Sequence, residues 1–259
     1  MNSTPVALGA RLKGISAIHT LGFKPVFEDY SPEEQRLILE ADKIYYPTAF
    51  YADLFNAMGK PTFPSFHTYK FAMDKIKQTA IFQMLQIPHP KTRIFYGKKQ
   101  KKTIMDFFCF PFIAKKARGS AKGRGVFLIK NSDELAAYLK DHSPAYIQEY
   151  LPVDRDMRII IIGEKIRLAF WRISTSDNFK TNVSQGGRIS FDPLPKEALD
   201  LASRTALTCG WDDVGIDIVM HKGHPYVLEG NIKYGTKGFH AAGIDYKAML
   251  AGLILKVEL

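Results

Sequence analysis

Val214-Gly215-Ile216-Asp217-Ile218-Val219-Met220 and Tyr226-Val227-Leu228-Glu229-Gly230-Asn231 read as two apolar strands around the turn His221-Lys222-Gly223-His224-Pro225. In an antiparallel hairpin, opposed positions add to a constant. With Asp217 facing Glu229, that pattern centres on Gly223 and predicts a three-residue loop, Lys222-Gly223-His224. Residues two apart on a strand share a face, so Asn231 joins the two carboxylates. Two carboxylates and an amide oxygen are hard donors that suit magnesium, with manganese as a second candidate. Without a cation or an arginine the carboxylates would repel each other. Glu229→Gln is therefore expected to leave the stability of the metal-free protein unchanged or raised. The bland alternative is that Asp217 only faces solvent on an edge strand. His221 and His224 read as exposed turn residues, since no cysteine or acidic cluster stands at zinc-ligand spacing from them.

Upstream, apolar strands at 110–115 and 126–130 are joined by Gly119-Ser120-Ala121-Lys122-Gly123-Arg124-Gly125. No Lys-Ser or Lys-Thr of a P-loop follows these glycines, and they lead into a strand rather than a helix. Glycines between basic residues let backbone amides approach an anion. Residues 91–124 hold eleven Lys or Arg against the single acid Asp106, which equals the whole net charge of +10. The basic character is thus local and aimed at an anion. Lys98 to Lys102 read as a solvated loop, Lys115 to Arg124 as a phosphate site. A rival reading gives the segment to RNA or an acidic partner, with Phe95, Tyr96, Phe107 and Phe108 stacking on bases.

The 259 residues are 46% hydrophobic and 24% charged, a globular composition that excludes disorder, collagen and coiled coil. No apolar run approaches the ~20 residues of a membrane span, and a cytoplasmic protein is expected. Cys109 and Cys209 allow no disulfide framework and read as two structural thiols. Strands expected at 6–10, 25–27 and 43–46 alternate with helices at 11–21 and 32–41, which predicts a small parallel α/β unit. Ser31-Pro32-Glu33-Glu34 has the form of a capping box, and the Gly/Pro-rich stretch 59–65 marks a boundary. Further helices are expected at 73–85, 132–140, 195–209 and 246–256, with a strand at 145–149 and a hairpin of 159–162 with 166–171. Arg158 and Arg172 on that hairpin need anionic partners, and Asp156 is a candidate.

Together these segments resemble the ATP-grasp superfamily, most of all the RimK-type carboxylate–amine ligases, from about residue 65 to 255. Asp74-Lys75 resembles the first lysine that contacts ATP, and Phe112-Ile113-Ala114-Lys115 with the glycine-rich loop resembles the second lysine and the flap over the phosphates. Gln148-Glu149-Tyr150-Leu151 is similar to the hinge strand whose backbone reads adenine. Asp156-Met157-Arg158 resembles the family's Asp-x-Arg, while Lys180-Thr181-Asn182 resembles its Arg-Ser-Asn with lysine for arginine. Gly215-Ile216-Asp217-Ile218 and Glu229-Gly230-Asn231 resemble the family's two magnesium-binding strands. Two departures stand out. Gly230 replaces an apolar residue, and Lys233-Tyr234-Gly235 lacks the family's proline.

The resemblance implies an α/β ATP-grasp fold, with residues 1–65 as a small parallel domain and 66–259 as the ATP-grasp domain, divided near 147/148 into a basic lid and a magnesium subdomain. It implies a ligase that forms an amide through an acyl phosphate, joining an amino acid to a peptide or small acid. Lys75, Lys115, Gly119, Ser120, Gly123, Gly125, Gln148, Glu149, Tyr150, Leu151, Asp156, Lys180 and Thr181 would hold ATP. Arg158, Arg172 and Asn182 would act on the reacting groups. A homo-oligomer is compatible, nucleic acid is disfavoured, and a nucleotide-regulated or vestigial binding protein is the alternative.

Overall fold

The computed structural model describes residues 4–71, 74–118, 125–174 and 187–259, and its strands form three sheets. The first is parallel: β1 (Val6–Ala7), β2 (His19–Thr20), β3 (Ile44–Tyr45) and β4 (Thr62–Phe63) lie in the order β2-β1-β3-β4. Helices α1 (Pro32–Glu40) and α2 (Thr48–Ala57) fall in its connections. α1 starts where the sequence predicts, with Ser31 and Glu34 exchanging both bonds of the capping box. Two expectations are corrected. The stretch 11–21 is not a helix, since it holds only the end of a 3-10 turn (Ala10–Leu12) before β2, and 25–27 runs into a second 3-10 turn (Phe27–Asp29) instead of a strand. Two-residue strands carry too little pattern to be read locally, and pairing with β1 decides β2. The stretch 59–65, read as a break, contains β4.

Helices α3 (Phe66–Phe71) and α4 (Lys75–Met84) lead to the second, antiparallel sheet. Its strands β5 (Thr92–Phe95), β6 (Phe112–Lys115), β7 (Val126–Ile129) and β8 (Ala145–Glu149) are ordered β5-β8-β6-β7. Helices α5 (Gly97–Lys101), α6 (Ile104–Phe107) and α7 (Ser132–Asp141) accompany it. Phe95, Phe108, Phe112 and Ile147 form its core with Leu135 and Tyr138 of α7. Most of the rings that the RNA reading needs are therefore turned into this core or half-buried against it. Phe95 and Phe108 are buried, and the Arg93 guanidinium lies 3.6 Å from the centroid of Phe107. Of the four, Tyr96 is exposed.

The third sheet is antiparallel: β9 (Arg155–Ile162), β10 (Lys165–Ile173), β11 (Arg188–Ser190), β12 (Asp213–His221) and β13 (His224–Asn231), in the order β11-β10-β9-β12-β13. Four consecutive isoleucines, 159 to 162, sit on the central strand because both faces are covered. Ile159 and Ile161 pack with α8 (Lys196–Cys209) and Trp211. Ile160 and Ile162 meet Leu168, Phe170, the parallel sheet's Ala7, Tyr45 and Phe63, and the segments α9 (Lys237–Ala241) and α10 (Tyr246–Leu255). Each fully buried isoleucine contributes roughly 1.5–3 kcal/mol. Cys209, the last residue of α8, is buried, but Cys109 is exposed, which corrects its reading as a structural thiol.

The β12–β13 turn also differs from expectation. His221 pairs with His224, leaving the two-residue loop Lys222-Gly223 with φ of 50° and 79°. Positive φ at both positions is what a tight hairpin loop of this hand requires. Ile218 faces Val227 and Asp217 faces Glu229, so Leu228 is a bulge. A tighter turn and one extra residue give the same Asp217–Glu229 pair.

Candidate active site

One face of the third sheet is divided by chemistry. On β9, Asp156, Arg158, Ile160 and Ile162 all point the same way. Across the ladder, Arg172 faces Asp156, and Asp217 faces Arg158. The apolar half meets the parallel sheet, and the charged half forms a buried row. Arg172 holds Asp156 through two bonds of 2.6 Å and reaches Asp217 at 2.9 Å. Arg158 binds both oxygens of Asp217, one through its Nε and the other through Nη2 at 2.9 Å, and donates from Nη1 to the Tyr234 carbonyl at 3.2 Å. Burial would lower the Arg172 pKa, but Asp156 and Asp217 override it and keep the guanidinium firmly charged. Asp217 is thus buried, not solvent-facing.

Glu229 carries this row to the lysines. Asp74 caps α4, accepting from the amides of Ile76 and Lys77 at 3.0 and 3.2 Å, and it also holds Arg118 at 3.0 Å. The cap sets Lys75 at the first helical position, with Nζ 3.2 Å from Glu229 Oε2. Lys115, buried on β6, also acts on Glu229. Burial pushes the Lys115 ammonium down to about 8, with Glu229 opposing and Lys75 reinforcing the shift. Burial would raise the Glu229 carboxyl, yet Lys75 and Lys115 bring it down to about 2. Burial, Asp156 and Glu229 push the Asp217 carboxyl up while Arg158 and Arg172 pull it down, so the expected carboxylate repulsion is present but set against cations. Among the described residues, four cations (Lys75, Lys115, Arg158, Arg172) meet three carboxylates (Asp156, Asp217, Glu229).

Asn231 donates to Glu229 Oε1 at 3.0 Å, so Asp217, Glu229 and Asn231 do come together as the hairpin reading predicts. No group of three or more His, Cys, Asp or Glu side chains among the described residues is placed to hold a metal ion. The donor set is two carboxylates and one amide. Its hard oxygens fit magnesium. With an excess of cations in place and Lys75 on Glu229, the set suits magnesium carried by a polyphosphate, whose own oxygens would offer the lysines partners.

The hinge residues divide. Gln148 turns inward to Thr92 Oγ1 at 2.8 Å, and Glu149 accepts the Lys91 amide at 2.6 Å, so both side chains hold structure. Tyr150 lines a cleft of about 1320 Å³, whose rim includes Val126, the register partner of Lys115, together with Trp171 and Met220. Leu151 is half-buried beside it, and the Gly125 carbonyl accepts from Lys116 at 2.7 Å. Gly119, Ser120, Gly123, Lys180, Thr181 and Asn182 lie outside the described residues.

Sequence reasoning missed three neighbours. Gln78 of α4 bonds the backbone of Gly230, Trp211 packs over that glycine, and Tyr234 lies against Gly215. The signal for the last two was the pair of glycines flanking Asp217 and Glu229, each a place where a bulky ring approaches backbone. A fourth group joins the sheets: Arg11 donates to Tyr246 and to the Ile232 carbonyl, lies 3.7 Å from Asp213, and stands over the rings of Tyr46, Tyr234 and Tyr246. Asp213 is fully buried and accepts from the Tyr234 hydroxyl at 2.6 Å, and burial raises its carboxyl to about 6 against the pull of Arg11.

A parallel sheet, a four-stranded basic sheet and a five-stranded sheet bearing the charged row make the ATP-grasp fold. The structure of the ATP-grasp ligase PsnB with a phosphomimetic precursor variant, Mg and ADP superposes with a TM-score of 0.70 at 15% identity, covering 98% of this chain and 99% of that one. The chain belongs to the RimK-like ATP-grasp domain family, whose model matches residues 72–254. The coenzyme gamma-F420-2:alpha-L-glutamate ligase of Methanococcus maripaludis is 30% identical over 194 residues, 71% of this chain and 67% of that protein. Beta-citrylglutamate synthase B of Danio rerio is 27% identical over 66% of this chain, a match that spans only 44% of the relative. By name the first is a glutamate ligase and the second a citrylglutamate synthase. No helix among the described residues is long and apolar enough to cross a membrane.

Proposed function

We propose that this chain is a cytoplasmic ATP-dependent carboxylate–amine ligase that joins an amino acid to a small acid or peptide. The observation that supports it most is the convergence of Lys75 and Lys115 on Glu229, beside Asp217 held by Arg158 and Arg172. In this reading residues 1–65, 66–147 and 148–259 act as a small domain, a lid and a magnesium subdomain. Lys75 and Lys115 turn from Glu229 to the phosphates of ATP, with the 119–125 loop above them and 148–151 beside the adenine. Asp217, Glu229 and Asn231 would hold magnesium, which when bound offsets the charge that develops on the transferred phosphoryl group.

A substrate carboxylate oxygen attacks the γ-phosphorus and ADP leaves. An amine then attacks the acyl carbon, and phosphate leaves as the amide forms. Arg172 and Arg158, fixed by Asp156 and Asp217, present rigid guanidinium donors to the carboxylate and to the tetrahedral oxyanion. Lys180, Thr181 and Asp156 are assigned to the nucleotide side, and Asn182 to the reacting groups, by resemblance alone. Screening ADP release against amino acids paired with small acids and short peptides tests the reading, with glutamate first because the relatives' names carry it. Amine-dependent ADP release is expected. Nucleic-acid binding that collapses with salt, without ADP release, would favour the binding-protein alternative.

A further inference from the structure

We propose that Gln78 is a positioning residue of the metal and nucleotide centre, clamping Gly230 so that Glu229 and Asn231 project to one place. This rests on the ligase reading above. β13 is an edge strand, so its outer backbone groups have no strand partner. At Gly230 the Gln78 side chain takes that partner's place: Oε1 accepts from the Gly230 amide at 2.9 Å, and Nε2 donates to its carbonyl at 2.8 Å. Nε2 also donates to the Phe71 carbonyl at 3.0 Å. Two carbonyls on one end and an N–H on the other admit a single orientation of the amide. Gln78 is buried, so all three bonds are made out of water.

Two features give the clamp its purpose. A side chain cannot anchor residue 230, because a Cβ there would stand 2.5 Å from the Trp211 ring. The strand thus has no side-chain contact between Glu229 and Asn231, and glycine adds backbone freedom at the point where geometry matters. Gln78 and Lys75 are also three apart on α4 and share its face. Lys75 grips the Glu229 carboxylate while Gln78 grips the next residue's backbone, so helix and strand end move as one body.

Gln78→Met keeps the volume and removes all three bonds, and Gln78→Glu keeps the acceptor and loses both donors. Ile38→Ala in α1 serves as a destabilised control, distant in the parallel unit's own core. Magnesium ATP binding is measured by calorimetry, alongside Gly230 amide exchange, melting temperature and the magnesium dependence of ADP release. Gln78→Met is expected to weaken magnesium ATP binding about tenfold, to raise the magnesium needed for half-maximal release and to unprotect the Gly230 amide. Ile38→Ala should melt lower yet bind as wild type. Affinity within about twofold of wild type in Gln78→Met would overturn the proposal; if that variant does not fold, Gln78→Glu decides by the same measure. Wild-type protein that binds no magnesium ATP would instead overturn the ligase reading, and this inference with it.

Discussion

Glu229 shows how the partners of a charge decide the sign of its removal. Taking away its negative charge leaves Lys75 and Lys115 facing each other, so Glu229→Gln should lower stability by about 1–3 kcal/mol, measured by denaturant unfolding. This reverses the expectation drawn from two carboxylates alone, and ATP turnover should be lost as well. An unchanged unfolding midpoint would show that the lysines find other partners. Asp213 gives a second, pH-dependent case. Its folded pKa of about 6 lies above the unfolded value of 3.8, so the folded state binds more protons between those limits and stability falls as pH rises through the window. Wild type should therefore gain on Asp213→Asn as pH drops from 6 towards 4, by at most about 3 kcal/mol. Melting curves at several pH values check the direction. The charged residues of the strands were legible because their chemistry is unusual there, and Lys75 through the resemblance. The Asp217–Glu229 pair and Asp156 as an arginine partner could be read too, but not the pair of Arg158 with Asp217, which are 59 positions apart and meet only through sheet register.

Hairpins and helices were legible where periodicity or caps speak. Residues 145–149 match β8, and the capping box fixes the start of α1. α2 went unread because Phe50, Tyr51, Leu54 and Phe55 leave no clear polar face, and half of them are exposed. The β12–β13 loop length was misjudged because a bulge leaves no mark in composition. That hairpin yields two predictions. Lys222 holds φ of 50° in a two-residue loop that favours asparagine, so Lys222→Asn should raise the melting temperature, by roughly 2–4 °C per kcal/mol, with activity unchanged. Gly230→Ala should do the opposite and lose both stability and magnesium ATP binding, since the added methyl meets Trp211. Thermal melts and calorimetry on the two variants separate a turn effect from a site effect.

For the whole molecule, the surplus of cations sets what can enter first. Free magnesium should give little heat with the metal-free protein at concentrations where magnesium ATP binds well, because the lone dication meets lysines already on its ligand. Tight binding of the free ion would contradict that balance. The local basic segment was plain in the sequence, but the union of the sheets was not. The parallel unit read as separable, yet Ala7, Tyr45 and Phe63 share one core with Ile160, Phe170 and Leu253, and Tyr45 donates to the Leu259 carbonyl 214 positions on. This has a consequence for synthesis. As the chain leaves the ribosome, the first sheet can bury only its α1–α2 side, and its other face is not fully covered until β9, β10, α9 and α10 have all emerged. A part made early is completed by parts made much later, so a nascent chain stalled before α10 should bind chaperones that the protein carrying α10 ignores.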